Sequence, residues 1–267
     1  MNFLHTLLSV ASGGLVGFTL GLVGGGGSIL AVPLLVYVVG VQSPHVAIGT
    51  SAIAVAFSAA ANLAGHARAR TVKWSCALVF ALSGIAGAAG GAQLGKMVDG
   101  GRLLMLFGAL MVVVGLVMLK PRKSAGNPDV QLTRSSIPRL LPLLIGIGFL
   151  VGALSGFFGI GGGFLIVPGL MGATGMPLIN AIGSSLVSIT AFGLTTAASY
   201  AWSDLVDWPL AALFIVGGAL GGLLGTKLAK NLAGHKHALS VTFSSFVIVV
   251  GLYVIVRSIT GCLEKQN

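Results

Sequence analysis

Two apolar runs, 4–39 and 141–172, constrain this chain more than any other feature, because each is too long for one ordinary membrane-spanning helix and each holds a cluster of glycines. A span needs about 20 largely apolar residues. Glycine inside a helix is less favourable than alanine by roughly 1 kcal/mol. The first run contains GLVGGGGSILAVP at 21–33 and the second contains GFFGIGGGFLIVP at 156–168. So many weak helix formers in succession predict a break: a re-entrant hairpin, or two short spans meeting at the glycines. The other apolar stretches, 46–65, 74–95, 103–119, 178–202, 208–226 and 239–256, each fit a single span, which makes about eight hydrophobic segments. Only 7% of the 267 residues are charged, against about 25% in soluble domains. Such a chain could not cover a water-facing surface. The fold class is therefore an all-α polytopic membrane protein, lodged in a lipid bilayer. The start, MNFLHTLLSVASGG, lacks a basic n-region and runs on into apolar sequence; it reads as the beginning of a membrane segment rather than a cleaved signal.

The chain repeats itself. GFTLGLVGGGGSILAVP at 17–33 matches GALSGFFGIGGGFLIVP at 152–168, so that Gly24, Gly26, Gly27 and Pro33 fall on Gly159, Gly161, Gly162 and Pro168. AIGTS at 47–51 matches AIGSS at 181–185, VKW ending at Trp74 matches VDW ending at Trp208, and the small-residue stretch GIAGAAGG at 84–91 matches GALGGLLG at 218–225. Four landmarks in one order at nearly constant offset define two homologous halves. The organisation is a membrane repeat over 1–119, a polar linker over 120–139, a second membrane repeat over 140–258 and a tail over 259–267.

Charge orients the halves. HARARTVK at 66–73 is basic and its counterpart SDLVDW at 203–208 is acidic. KMVDGGR at 96–102 is mixed and its counterpart KLAKNLAGHKH at 227–237 is basic. The sign swaps, as inverted repeats predict. Inverted halves place eleven of the fifteen Lys and Arg on one side, whereas eight simple spans in parallel halves place ten there. Inversion also leaves Asp129 alone among the acids on the basic side, with Asp99, Asp204, Asp207 and Glu264 opposite. Cytoplasmic loops collect Lys and Arg, so the linker is expected in the cytoplasm. Inversion requires an odd number of crossings per half, and three ordinary spans follow each glycine cluster; the run bearing the cluster must cross an even number of times.

The polar residues point to an anion. Unwound backbone in a bilayer is tolerated only where protein or a water-filled cavity satisfies it, and half-helix N-termini favour negative charge. GGGGS (Gly24, Gly26, Gly27 and Ser28) and GIGGG (Gly159, Gly161, Gly162 and Gly163) each precede a helical stretch expected to end at a proline, Pro33 or Pro168. Their N–H groups form a candidate pair of anion cradles near the midplane; tight helix packing is the structural alternative. Beside them stand the matched hydroxyl pairs Thr50–Ser51 and Ser184–Ser185, with Ser188 and Asn62 further along the same spans. A lone membrane hydroxyl usually bonds its own helix, whereas a pair matched across halves is a better candidate for ligand contact. No Asp, Glu, Lys or Arg lies within any span so drawn, which weakens cation transport and a carboxylate proton relay.

Other classes find little support. The net charge of +10 sits in short breaks between apolar runs, with no recognition module, so no nucleic-acid partner is expected. Two cysteines without a CxxC and five scattered histidines suggest neither a disulfide framework nor a metal site. No GxSxG or HExxH is present, so no enzyme and no cofactor are expected. A passive anion channel or a membrane scaffold subunit are the alternatives to a carrier, and a homo-oligomer is compatible with either.

GLVGGGGSILAVP with AIGTS, and GFFGIGGGFLIVP with AIGSS, resemble the sulfite exporter TauE/SafE family, across both halves. The resemblance implies export of sulfur-containing anions such as sulfite or C2 organosulfonates across the bacterial inner membrane. It carries over onto Gly24, Gly26, Gly27, Pro33, Thr50, Ser51, Gly159, Gly161, Gly162, Pro168, Ser184 and Ser185. The second half departs from the first at Ile160, where the first has Gly25, and at Gly163, where the first has Ser28; the two cradles are not equivalent.

Overall fold

The computed structural model describes residues 3–23, 25–119, 132, 136–159, 161–231 and 236–264. Gly24 and most of the expected linker lie outside the described residues. Every regular element among the described residues is helical. Helix α1 spans Phe3–Val23 and is followed by a composite turn-back: a 3₁₀ stretch over Gly25–Leu30, an α turn over Ala31–Pro33 and a π turn over Leu34–Val39, treated together as α2. Next come α3 (Pro44–Arg68), α4 (Trp74–Met97) and α5 (Gly100–Leu119). The second half repeats the series as α6 (Ile137–Phe158), α7 (Gly163–Thr174), α8 (Leu178–Ala201), α9 (Trp208–Asn231) and α10 (Lys236–Glu264). Seven of these, α1, α3, α4, α5, α6, α8 and α9, are long and apolar enough to cross a membrane. This is a multi-pass membrane protein.

Each long apolar run resolves into a full-length helix followed by a short one. The break falls at the C-terminal end of α1 and of α6, not in the middle of the run. With 12 residues, α7 is about 18 Å long at 1.5 Å per residue, well short of the roughly 30 Å hydrocarbon core. It folds back along α6: Gly162 lies against Ser155, and Gly169 against Ile147 and Val151. The first half does the same, with Gly27 pressed on Thr19 and Leu20. Of the two expected forms of the break, the hairpin is the one observed.

Neither proline ends its helix, contrary to the expectation for Pro33 and Pro168. Pro168 lies inside α7, which continues to Thr174. Pro33 stands where the α turn gives way to the wider π turn that runs to Val39. A proline removes one intrahelical bond and crowds the carbonyl four residues back. At Pro33 that distortion coincides with the widened turn, and at Pro168 the helix continues through a segment whose Val167 and Leu170 are buried.

Small residues set the packing. α1 lies against α9, and α4 against α6. A Cβ on Gly17 would collide with the carbonyl of Gly218, one on Gly21 with that of Gly222, one on Gly152 with that of Gly84 and one on Gly156 with that of Ala88. Bilayers supply no hydrophobic drive between helices, so close backbone approach and dispersion hold such seams. The matched stretches at 84–91 and 218–225 are therefore seams rather than ligand sites. Their registers rise together, so each of these pairs runs parallel. By contrast α3 and α8 are antiparallel, with Gly49 at Tyr200 and Gly193 at Ala52 and Ala56. Helices α5 and α10 are also antiparallel, with Gly108 at Ile255 and Gly115 at Ile248. Large apolar side chains such as Leu82, Leu94, Leu220, Leu223 and Val249 face outward, while Ser9, Thr50, Ser51, Ser155 and Ser188 are buried.

Gly17→Ala and Gly152→Ala are expected to lower stability by about 1–3 kcal/mol each through overpacking. Gly90→Ala, with nothing within 4 Å of the new methyl, should be neutral or stabilising by up to about 1 kcal/mol. Thermal unfolding of the purified variants in detergent checks all three.

Candidate functional site

The second break is a left-handed turn. Gly159, Gly161 and Gly162 have φ of 66°, 66° and 68°, a region where a Cβ is strained. Gly159 closes α6, its N–H donating to the carbonyl of Ser155. Gly162 caps α7, and its carbonyl accepts from the N–H groups of Leu165 and Ile166, both at 2.9 Å. Position in depth follows from neighbours. Gly159 abuts Ile48 near the start of α3, whereas Gly161 abuts Val55 and Ile189, each midway along its helix. Gly159, Gly161, Gly162 and Gly163 are all buried.

The first break is built differently. Gly25–Leu30 is a right-handed 3₁₀ stretch, and no glycine among its described residues has positive φ. Gly26, Gly27 and Ser28 are buried. The glycine at 27 is required by proximity, since a Cβ would run into the backbone N of Leu20. The 25–30 stretch also packs against α7, the helix that follows the second break.

The matched hydroxyls are engaged with the chain itself. Thr50 Oγ1 accepts from the N–H of Asp207 at 3.0 Å, and Ser184 Oγ accepts from the N–H of Lys73 at 2.8 Å. Asp207 and Lys73 immediately precede α9 and α4, so each hydroxyl satisfies a donor just ahead of a helix of the other half. Ser51 Oγ donates to Ile48 O at 2.9 Å and lies 3.4 Å from Gly159 O; Ser185 Oγ donates to Ile182 O at 2.8 Å. Of the four, Ser51 is the one placed at a break by these contacts. The antiparallel register of α3 and α8 sets Ser185 level with the neighbourhood of Asn62, about 16 Å along the helix from Ser51. The two pairs are thus not drawn into one cluster. Asn62 donates to Ser58 O at 2.9 Å within its own helix and packs against Gly222 of α9.

Several buried hydroxyls have no partner among the described residues: Ser155, Ser188, Thr196, Ser199 and Tyr200. Ser188 was singled out from the sequence. Ser155 was not, although a signal exists: it replaces Leu20 of the first half, a polar residue present in one copy only.

The sequence profile described as sulfite exporter TauE/SafE matches residues 9–254. The chain is 54% identical over 258 residues to a probable membrane transporter protein of Xylella fastidiosa, covering 97% of this chain and 98% of that one. It is 27% identical to the probable membrane transporter protein YunE of Bacillus subtilis, over 92% of this chain and 96% of the relative. A further relative, the probable membrane transporter protein MJ0441 of Methanocaldococcus jannaschii, is 25% identical over 90% and 93%. No solved structure matches.

Thr50→Val and Ser184→Ala should each lower stability by about 1 kcal/mol, leaving a donor ahead of a helix unpaired. Thr50→Ser, which keeps the acceptor, should not. Melting temperatures measured without added anion separate the two outcomes.

Proposed function

The chain belongs to the sulfite exporter TauE/SafE family and is a membrane transporter, and on that premise we propose that it exports a small sulfur-containing anion, sulfite or a C2 organosulfonate, across the bacterial inner membrane. The observation that carries this reading is a pair of buried glycine breaks, Gly161 of the second lying midway along α3 and α8 and the 25–30 stretch of the first packing on the helix that follows it, with uncharged residues nearest to Gly27, Gly159, Gly161 and Gly162. Backbone N–H groups and hydroxyls suit an anion that is hydrogen-bonded rather than ion-paired. Such an anion would leave the cell down the inside-negative potential, worth about 2.3 kcal/mol per charge per 100 mV.

Alternating access between inverted halves is the mechanism we attach to it. The antiparallel α3–α8 and α5–α10 pairs support inversion, because these are equivalent helices of the two halves. Helix directions then bring the C-terminal ends of α3, α5, α7 and α9 to one side, where eleven of the fifteen Lys and Arg would gather. With the break glycines buried, a substrate could reach them only after a movement of one part of the bundle against another.

In proteoliposomes, sulfite or C2 sulfonate efflux is expected to saturate with substrate and to rise with imposed potential. Rates indifferent to potential and set by a proton gradient would contradict the reading, and single-channel currents would favour a channel. For orientation, Ser124→Cys in the linker and Trp202→Cys at the end of α8 (93% exposed), each in a chain freed of Cys76 and Cys262, should react with an impermeant thiol reagent from opposite sides. Labelling from the same side would show parallel halves.

A further inference from the structure

The two breaks are alike in sequence and unlike in what surrounds them. At α7, the N-cap Gly162 offers no side-chain cap. The first intrahelical bonds are made by Leu165 and Ile166, so the N–H groups of Gly163 and Phe164 lie ahead of them, as first-turn donors do in any helix. Facing this helix start is Ser155 Oγ: a Cβ on Gly162 would lie 2.8 Å from it. Ser155 is 0% exposed and its hydroxyl has no partner among the described residues.

Ser155 shares that lack of a partner with Ser188, Thr196, Ser199 and Tyr200, but of these it is the one set against the helix start by the contact with Gly162. Ser9, Thr19, Ser83, Thr174, Thr190 and Thr195 all donate to a carbonyl three or four residues back. Ser155 could do so and does not. A buried hydroxyl left unpaired is destabilising, a cost that a bound ligand accepting from it would remove. In the first half the matching residue is Leu20, whose backbone fills the space beside Gly27. The hydroxyl that does stand beside Gly27, Thr19 Oγ1, already donates to the carbonyls of Leu15 and Val16, both at 2.9 Å, and the stretch after Gly25 is already coiled as a 3₁₀ helix.

The charge of the ligand follows from what is missing. The nearest side chains to Gly159, Gly161 and Gly162 are Ile48, Val55, Ser155, Ile166 and Ile189, with Ser51 Oγ 3.4 Å from Gly159 O, none of them cationic. Lys96 of α4, beside the Gly95 that lies against Phe157, donates to Ser199 O at 3.0 Å and Ser203 Oγ at 3.1 Å. A helix N-terminus is equivalent to about half a positive charge. It can offset much of one negative charge but little of two, and the penalty for burying charge grows as its square.

We propose that the N-terminus of α7 and the Ser155 hydroxyl form one seat for a singly charged oxyanion, a sulfonate-type headgroup, with no equivalent seat at the first break. This rests on the transporter reading above and narrows it to one anion per chain, held off the axis relating the halves.

Calorimetric titration of the full-length protein in detergent with ethanesulfonate tests it. Ser155→Ala should bind at least about tenfold more weakly, the loss expected for one hydrogen bond to a charged group. Its melting temperature without anion should stay the same or rise, because an unpaired buried hydroxyl has been removed. Ser155→Cys, close in size but a poorer donor, should also be weakened. Thr19→Ala, beside Gly27 in the first half, should bind as the parent does. Sulfate, a dianion, should bind at least about tenfold more weakly than ethanesulfonate. Unchanged affinity in Ser155→Ala, or a lowered melting temperature without anion, would overturn the role of Ser155. Equal losses in Ser155→Ala and Thr19→Ala would overturn the single seat, and equal affinity for sulfate would overturn the charge selection. A parent protein that binds neither anion and gives no saturable flux would remove the transporter reading as well. Binding by the parent with no effect of Ser155→Ala would leave that reading standing.

Discussion

Everything in this structure follows from the requirement that a polypeptide in hydrocarbon satisfy its own backbone hydrogen bonds. Seven helices of spanning length meet it internally. The places where it is hardest to meet are the helix breaks and the helix starts, and there the fold is most specific. The start of α4 is met by Ser184 from α8, and that of α9 by Thr50 from α3. Each half therefore completes a helix start of the other, which ties them together by hydrogen bonds as well as by packing.

Glycine serves two separate physical ends in this chain. Along α1–α9 and α4–α6 it removes bulk, so that carbonyl and Cα of neighbouring helices come into direct contact. At Gly159, Gly161 and Gly162 it permits left-handed backbone. Gly27 of the first cluster belongs with the packing glycines and Gly159, Gly161 and Gly162 of the second with the turn glycines, although the two clusters read as copies. One substituted neighbour, Ser155 for Leu20, gives the second break an unpaired hydroxyl, whereas Thr19 beside Gly27 at the first is bonded to its own helix.

Much of the architecture was legible from residue patterns. The stretches 74–95 and 103–119 became Trp74–Met97 and Gly100–Leu119, and the duplicated clusters marked the two breaks. Apolar length and glycine density act locally, so they can be read locally. The site was harder. Thr50 and Ser184 looked like ligand hydroxyls because they are matched, but in the structure both accept from the chain. Matching reports that the halves share a feature and does not say what it contacts. Pro33 and Pro168 looked like helix ends, yet helix continues past both, because neighbouring elements compensate for a lost bond in ways that propensity does not register.

The sequence by itself determined that this chain is helical and membrane-embedded, that it is built twice, and where each half must turn back. These outcomes depend on burying apolar length and on the poor helix-forming of glycine, both properties of contiguous residues. Only the tertiary structure decided which helices pair, which hydroxyls are consumed by backbone and which stay unpaired, and the opposite hand of the two glycine turns. Those depend on what a distant segment presents at a given depth: Leu20 against one break, Ser155 against the other.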